Sequence, residues 1–141
     1  MSTLETEPTA MLDNTAVTNG QPINLLSQSL GTHTLTVTAS DVAGNSGSKS
    51  ASFRIIATVD SLISTVNILV QQGKITDTNT AKSLLAKLNE AKQALSRGNK
   101  KTASSKLMDF KDQVLAQKGK KIATDAASLL ITDAKFVLST I

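Results

Sequence analysis

The second part of the chain repeats one pattern of apolar and polar positions. One pair of helical periodicities flanks Gly73, and another pair flanks Gly119, which lies 46 residues further on. In each copy the glycine ends a helix, lysine follows in the turn, and a single isoleucine (Ile75 or Ile122) precedes the next helix. A repeat of this length corresponds to one helical hairpin. The pattern therefore predicts an antiparallel four-helix bundle, built from two helical hairpins, over residues 59–141.

The 3.6-residue period also predicts which side of each helix is buried. The expected inward residues are Val59, Leu62, Ile63, Val66 and Val70 in the first helix, Ala81, Leu84, Leu85, Leu88, Ala91 and Leu95 in the second, Ala103, Leu107, Phe110 and Val114 in the third, and Ala127, Leu130, Ala134, Val137 and Ile141 in the fourth. The expected helix ends are Gly73, Gly98 and Gly119, and the expected N-caps are Asp60 or Ser61, Asn99 and Thr124.

The first part of the chain has the period of two that is typical of β-strands. Residues 33–39 alternate between apolar side chains and threonine, and residues 50–57 alternate in the same way. The expected inward face consists of Leu35, Val37, Ala39, Ala51, Phe53 and Ile55. Asp13-Asn14 and Asn19-Gly20 are turn dipeptides. Residues 9–57 therefore predict a β region, whereas residues 1–8 carry no pattern and are expected to be disordered or derived from cloning.

Charge is unevenly distributed along the 141 residues, whose formal net charge is +4. Residues 1–57 carry two basic and four acidic side chains, a net −2, whereas residues 58–141 carry thirteen and seven, a net +6. Cysteine is absent, which excludes disulfides and thiolate metal ligands. No apolar run approaches the roughly 18 residues of a membrane span, and the acidic N-terminus is unlike a signal peptide. The composition thus indicates a soluble protein with a basic helical part.

The stretch from Ser29 to Asn45, SLGTHTLTVTASDVAGN, resembles the last strands of bacterial immunoglobulin-like domains. A complete domain of that kind needs roughly 100 residues. Residues 9–57 provide only about half of that length, so the resemblance implies a partial immunoglobulin-like β-sandwich whose first strands are missing.

The helical stretch resembles the FIMAH domain. The resemblance covers residues 62–76 (LISTVNILVQQGKIT), 83–91 (SLLAKLNEA) and 98–101 (GNKK). It implies a module near the C-terminus of large secreted bacterial proteins, often hydrolases, commonly placed after immunoglobulin-like repeats. It implies a secreted or cell-surface location, and it assigns no activity to particular residues.

Few residues have the chemistry of a catalytic or metal site. His33 is the only histidine and has no second histidine or cysteine as a partner, so we interpret it as a strand residue at the edge of the core. Asp41 lies in a turn and is better explained as a turn cap than as a calcium ligand shared with Asp13 or Glu7. The carboxylates of residues 59–141 are expected at helix starts or on outward faces. We therefore expect no catalytic residue, no metal and no cofactor.

The lysines of the two glycine turns are the remaining candidate site. In an antiparallel bundle Lys74, Lys118, Lys120 and Lys121 lie at one end. The simpler interpretation is that they offset helix dipoles and keep the surface soluble. The functional alternative is contact with an anionic cell-wall polymer, an acidic glycan or lipid headgroups. Nucleic acid is disfavoured because no exposed aromatic ring is available for base stacking.

These observations favour a non-catalytic accessory, spacer and attachment module of a larger secreted bacterial protein, an extracellular hydrolase or lyase. Its expected partners are the other domains of that parent chain. The alternative is an electrostatic adhesion module that acts through the turn lysines. Half a sandwich exposes strand edges and the apolar face of Leu35, Val37, Phe53 and Ile55. That face requires cover by the bundle or by a second copy, or else the region is disordered; of these we expect a homo-oligomer formed through the β region.

Overall fold

The structure is a computed structural model that describes residues 8–18, 20–24, 28–41 and 43–141. The chain divides into two compact units, residues 1–56 and 57–141, which we call the β unit and the helical unit. The expectation for residues 1–8 concerns residues outside this description, apart from Pro8, and the turn dipeptide Asn19-Gly20 includes the undescribed Asn19. Among the described residues no helix has the length and hydropathy needed to cross a membrane.

The β unit is an open antiparallel sheet with the strand order β2-β1-β3-β4. The strands are β1 (Thr9–Leu12), β2 (Thr15–Val17), β3 (Gly31–Ser40) and β4 (Ser46–Ile55). The long hairpin of β3 and β4 is paired without interruption from Gly31 opposite Ile55 to Ser40 opposite Ser46. The described residues of this unit form a single sheet, so the expected immunoglobulin-like sandwich is not confirmed.

The strand register confirms the predicted faces but not their burial. His33 lies opposite Phe53 and Leu35 lies opposite Ala51, and directly opposed residues point to the same side of a sheet. Threonine, serine and Arg54 occupy the other side. The apolar side is largely open, since Val37 is 38% exposed and Phe53 is 36% exposed. The predicted inward face is thus only partly buried, because no described strand packs over Phe53.

The helical unit contains four helices, each packed against the next, and the first also packs against the fourth. They are α1 (Val59–Gln71), α2 (Thr78–Ser96), α3 (Lys100–Gln117) and α4 (Thr124–Thr140). The largest side chains that are fully buried are Phe110, Leu62, Leu84, Leu88, Leu107, Ile122, Leu130, Val66 and Val114. The predicted inward face of α3 is confirmed at all four positions.

The inward faces of the other helices differ from the prediction at a few positions. Near the end of α1 the buried residue is Leu69, and Val70 is 39% exposed. In α2 the buried residue near the end is Ala94 rather than Leu95. In both helices the last buried residue lies three positions after the previous buried residue instead of four. A period of 3.6 residues allows either spacing. In α4 a carboxylate, Asp133, is buried in the inward face, which contradicts the expectation that acidic residues face outward.

The helix ends follow ordinary capping chemistry. Thr58 is the N-cap of α1 and forms a capping box with Ser61, so the expected Asp60 or Ser61 cap is displaced by up to three residues. Asn99 caps α3 as predicted, through a 3.1 Å bond from Thr102 N to Asn99 Oδ1. Ala123, not Thr124, precedes α4 and provides no side-chain cap. Gly73 and Gly119 have φ of 73° and 76°, the left-handed conformation that glycine favours.

Candidate functional site

The turn between α1 and α2 and the turn between α3 and α4 are joined by backbone hydrogen bonds. Thr76 N donates to Lys121 O at 3.0 Å, and Ala123 N donates to Lys74 O at 2.8 Å. These bonds flank an antiparallel bridge between Ile75 and Ile122. Both isoleucines are buried, at 3% and 0% exposure, so they close this end of the core. We call residues 73–77 and 118–125 the paired turns.

Each turn of this pair supplies a lysine to a carboxylate of the other. Lys74, from the first turn, forms an ion pair with Asp125 at the start of α4. Lys121, from the second turn, lies 3.3 Å from Asp77, the N-cap of α2. These two ion pairs hold the start of α4 to the first turn and the start of α2 to the second turn.

The carboxylates of these ion pairs are also bound within their own helices. The pKa of Asp77 is lowered chiefly by the hydroxyl and the backbone N–H of Thr80, with Lys121 contributing less. The pKa of Asp125 is lowered first by Lys74 and then by the backbone N–H of Ala126. Both groups are therefore ionised at neutral pH, and both charges are offset locally.

The structure consequently separates the four predicted lysines into two kinds. Lys74 and Lys121 are engaged by carboxylates, whereas Lys118 and Lys120 are exposed and have no ion pair among the described residues. Lys120 belongs to the longer turn, which has one more residue between its glycine and its isoleucine than the first turn has. Free positive charge at the paired turns thus comes from the second turn.

His33 is held by two acceptors in the β unit. Its Nδ1 lies 2.8 Å from Asp13 Oδ2, and its Nε2 lies 2.5 Å from the carbonyl oxygen of Ser29. A carboxylate and a carbonyl can only accept, so this surrounding favours the charged imidazole, in which both ring nitrogens donate. The Ser29 carbonyl and then Asp13 raise the pKa of His33, whose ring stacks on Phe53 at 5.6 Å. His33 is thus a strand residue, as interpreted from the sequence, and Asp13 is its side-chain partner.

Asp13 and Asp41 are both committed to backbone turns. Asp13 accepts from Thr34 N at 3.0 Å, which together with His33 lowers its pKa. Asp41 accepts from the backbone of Ala43 and Asn45, each at 2.9 Å, as a turn cap does. About seven residues of β3 separate the two carboxylates, roughly 23 Å at 3.3 Å per residue, so they cannot share one calcium ion. Glu7, the other proposed ligand, lies outside the described residues.

Asp133 is buried, although the sequence predicted that the carboxylates of this unit lie at helix starts or face outward. It lies on the row of α4 that contains Ala126, Leu130 and Val137, and it is 7% exposed. No described side chain forms an ion pair or hydrogen bond with it, and burial raises its pKa to about 6. No polar side-chain atom among the described residues is both fully buried and unpaired, so the carboxyl oxygens of Asp133 keep some contact with solvent.

The described residues contain no cluster of three or more histidine, aspartate or glutamate side chains that could hold a metal ion. The pairing of Asp77 and Asp125 with the turn lysines was not predicted from the sequence. A signal was present, since each lies three to four residues after a lysine of its own turn, at the start of a helix. That each lysine pairs with the carboxylate of the other turn follows only from the backbone hydrogen bonds between the turns.

The fold and the paired turns define a helical unit of two hairpins joined turn to turn, preceded by a β unit. A comparison with protein families identifies this helical unit as a FIMAH domain, matched over residues 59–139. The chain belongs to the FIMAH domain family, and the expected resemblance is confirmed. The resemblance of the β unit to immunoglobulin-like domains has only loose support, from the strands themselves. No curated protein and no solved structure matches the chain.

Proposed function

We propose that this chain is an accessory segment of a larger secreted bacterial protein, in which the helical unit acts as a spacer and attachment module and catalysis occurs elsewhere in the parent. The family match over residues 59–139 carries this proposal. In the proposed architecture the four helices form an antiparallel four-helix bundle, with the paired turns at one end. The parent is proposed to be an extracellular hydrolase or lyase, located outside the cell or at its surface.

The contacts of four carboxylates support a structural role for those four groups. Asp77 and Asp125 bind lysines and helix N-termini, Asp41 caps a turn, and Asp13 binds His33. Catalytic acids and bases usually have a pKa tuned towards the working pH and face a cleft. These four carboxylates instead have a lowered pKa and are held by local donors.

The accessory role is tested by deleting residues 59–141 from the parent protein in its host. Turnover of a small soluble substrate should stay within about twofold of the intact protein, since the reacting groups lie elsewhere. The fraction of the protein retained at the cell surface should fall. Loss of turnover from a deletion protein that is still folded would contradict the proposal.

A second candidate function is electrostatic adhesion to an anionic cell-wall polymer, acidic glycan or lipid headgroups. Lys118 and Lys120 favour it, because they are exposed, unpaired in the described structure and adjacent to Lys121. The double variant Lys118→Glu and Lys120→Glu should abolish binding to an acidic glycan at low salt. Lys82→Glu with Lys135→Glu is the matched control, because it changes net charge equally at exposed sites elsewhere. Equal binding by the two double variants would exclude the paired turns as the contact surface.

We also propose that the β unit self-associates. β4 is an edge strand of ten residues, and residues 46–54 are all exposed. An exposed edge beside an apolar face invites pairing with a second strand, although Lys49 and Arg54 on that strand oppose it. Sedimentation velocity should show a mass that rises with concentration. A monomer at all concentrations, with β4 amides protected from exchange, would contradict self-association.

A further inference from the structure

An apolar cavity opens at the end of the helical unit where α2 turns into α3. Its volume is about 260 Å³, and its apolar lining includes Val59 of α1, Leu95 of α2 and Val137 of α4. Lys100, at the start of α3, is the charged residue of this lining. The cavity lies just below the roughly 300–1,000 Å³ of most ligand pockets. It is therefore suited to one short alkyl chain and is too small for a two-chain lipid.

Lys100 lines this cavity, and two further cations, Arg97 and Lys101, lie within three residues of it along the chain. Arg97, Lys100 and Lys101 are exposed, and their side chains form no ion pair or hydrogen bond within the described residues. Elsewhere in the helical unit several lysines are paired with carboxylates, as Lys106 is with Glu90 at 2.6 Å. Asp60, in the first turn of α1, is itself already bound to Lys92 at 2.8 Å. We call Arg97, Lys100 and Lys101 the basic end.

Two of these cations occupy positions that the helix itself disfavours. Lys100 and Lys101 are the first two residues of α3, and its first turn contains no acidic residue. The N-terminus of a helix carries partial positive charge, so cations there are repelled and anions are attracted. Arg97, at the C-cap of α2, is placed favourably. Lys100 and Lys101 therefore add positive charge to a helix end that is already positive, a combination that favours a nearby anion.

We propose that the basic end binds a single-chain anionic amphiphile as a monomer, with its alkyl chain in the cavity and its phosphate or carboxylate head on Lys100. The head would meet uncompensated positive charge, and the chain would leave water for an apolar lining. This site lies at a different turn from the paired turns. It therefore does not depend on adhesion through Lys118 and Lys120.

Isothermal titration of the whole chain with decyl phosphate, kept below its micelle concentration, tests the proposal. One saturable site is expected. Decanol lacks the head and inorganic phosphate lacks the chain, so each should bind at least about tenfold more weakly. Inorganic phosphate that binds as tightly as decyl phosphate would overturn the proposal, because the cavity would then contribute nothing. Absence of saturable binding would also overturn it.

Matched variants locate the site. Lys100→Glu should weaken decyl phosphate binding about tenfold or more, whereas Lys82→Glu, with the same charge change at an exposed site away from both candidate surfaces, should leave it unchanged. Thr140→Trp, at an exposed residue beside the cavity, should block the chain and also weaken binding. Circular dichroism checks that each variant is folded. Equal weakening by Lys100→Glu and Lys82→Glu would overturn the assignment. Binding to anionic phospholipid vesicles without binding of monomeric decyl phosphate would also overturn it, in favour of a membrane surface.

Discussion

Both units of this chain place apolar residues on one face of each element, but the outcome for burial is opposite. In the helical unit the apolar rows of four helices meet and exclude water, so Phe110 and Leu88 are fully buried. In the β unit the apolar face of a single sheet has no described layer over it, and Phe53 keeps 36% of its surface exposed. The difference shows that a correct pattern selects the element and its face, whereas burial requires a second surface.

The largest expected effect lies in the core of the helical unit. Phe110→Ala should lower the free energy of unfolding by about 3–5 kcal/mol, because it removes a fully buried ring and leaves a cavity. Phe53→Ala in the β unit is the matched change and should cost about 1 kcal/mol or less, since that ring is already partly hydrated. Urea denaturation followed by circular dichroism measures the first, and amide exchange of β3 and β4 measures the second. Equal losses would contradict the contrast between the units.

Asp133 offers the next largest effect, and in the opposite direction. Its folded-state pKa of about 6 is above the ordinary value of 3.8, so the stability it contributes is present below about pH 4 and is lost as pH rises through 6. Asp133→Asn should therefore stabilise the helical unit by about 1–2 kcal/mol at pH 7.5, a value reduced for the solvent that reaches the carboxyl. Urea denaturation at several pH values measures the gain.

The control for Asp133 is Asp112→Asn, at an exposed position of the same unit. This variant should leave the stability profile between pH 4 and pH 7 close to that of the parent chain. A parent chain whose stability rises across that interval would show that Asp133 is not desolvated in solution.

In the β unit the corresponding pH effect comes from the His33–Asp13 pair. The raised pKa of His33 means that its contribution is complete below about pH 6.5 and is lost as pH rises through the folded-state value. The lowered pKa of Asp13 means that its contribution is lost only as pH falls below about 3.8. The pair should be strongest near pH 5. Because His33 is the only histidine, its ring proton signals report the titration directly.

Asp13→Asn should lower the midpoint of that titration, because it removes the anionic acceptor of Nδ1. Phe53→Leu, which removes the stacked ring but keeps the acceptors, is the control. A midpoint in the parent chain below about 6.5 would contradict the charged, doubly bonded imidazole.

The smallest effect is expected at the paired turns. Lys74→Gln with Lys121→Gln removes both ion pairs, but all four side chains are substantially exposed, so the melting temperature should fall by less than about 2 °C. The fall should disappear at high salt. A larger, salt-independent loss in thermal melts would mean that the lysine stems, not their charges, hold the turns together.

The sequence predicts features that depend on neighbouring residues better than features that depend on contacts between distant segments. The four helices, their glycine ends and the Asn99 cap are local features and are predicted correctly. The exchange of Val70 for Leu69 shows the limit of a period that fits two neighbouring residues equally well. Asp133 and the His33–Asp13 pair depend on contacts between segments distant in sequence, which periodicity cannot supply.

Part of the candidate site could be predicted from the sequence. The gathering of lysines follows from two equivalent turns, and the structure joins those turns by hydrogen bonds. Which lysines stay free follows from the positions of Asp77 and Asp125 relative to the opposite turn. That arrangement is set by the backbone bridge between Ile75 and Ile122 and cannot be obtained from composition.

The reciprocal linkage of the paired turns has a consequence for the integrity of the helical unit. Each hairpin contributes one isoleucine to the bridge and one residue to each of the two ion pairs. The hairpins are connected at another turn, which contains Gly98. A chain cut at Gly98 would yield two fragments whose joining surfaces remain whole. Such fragments should reassemble when mixed, so this domain is suited to division into complementary halves.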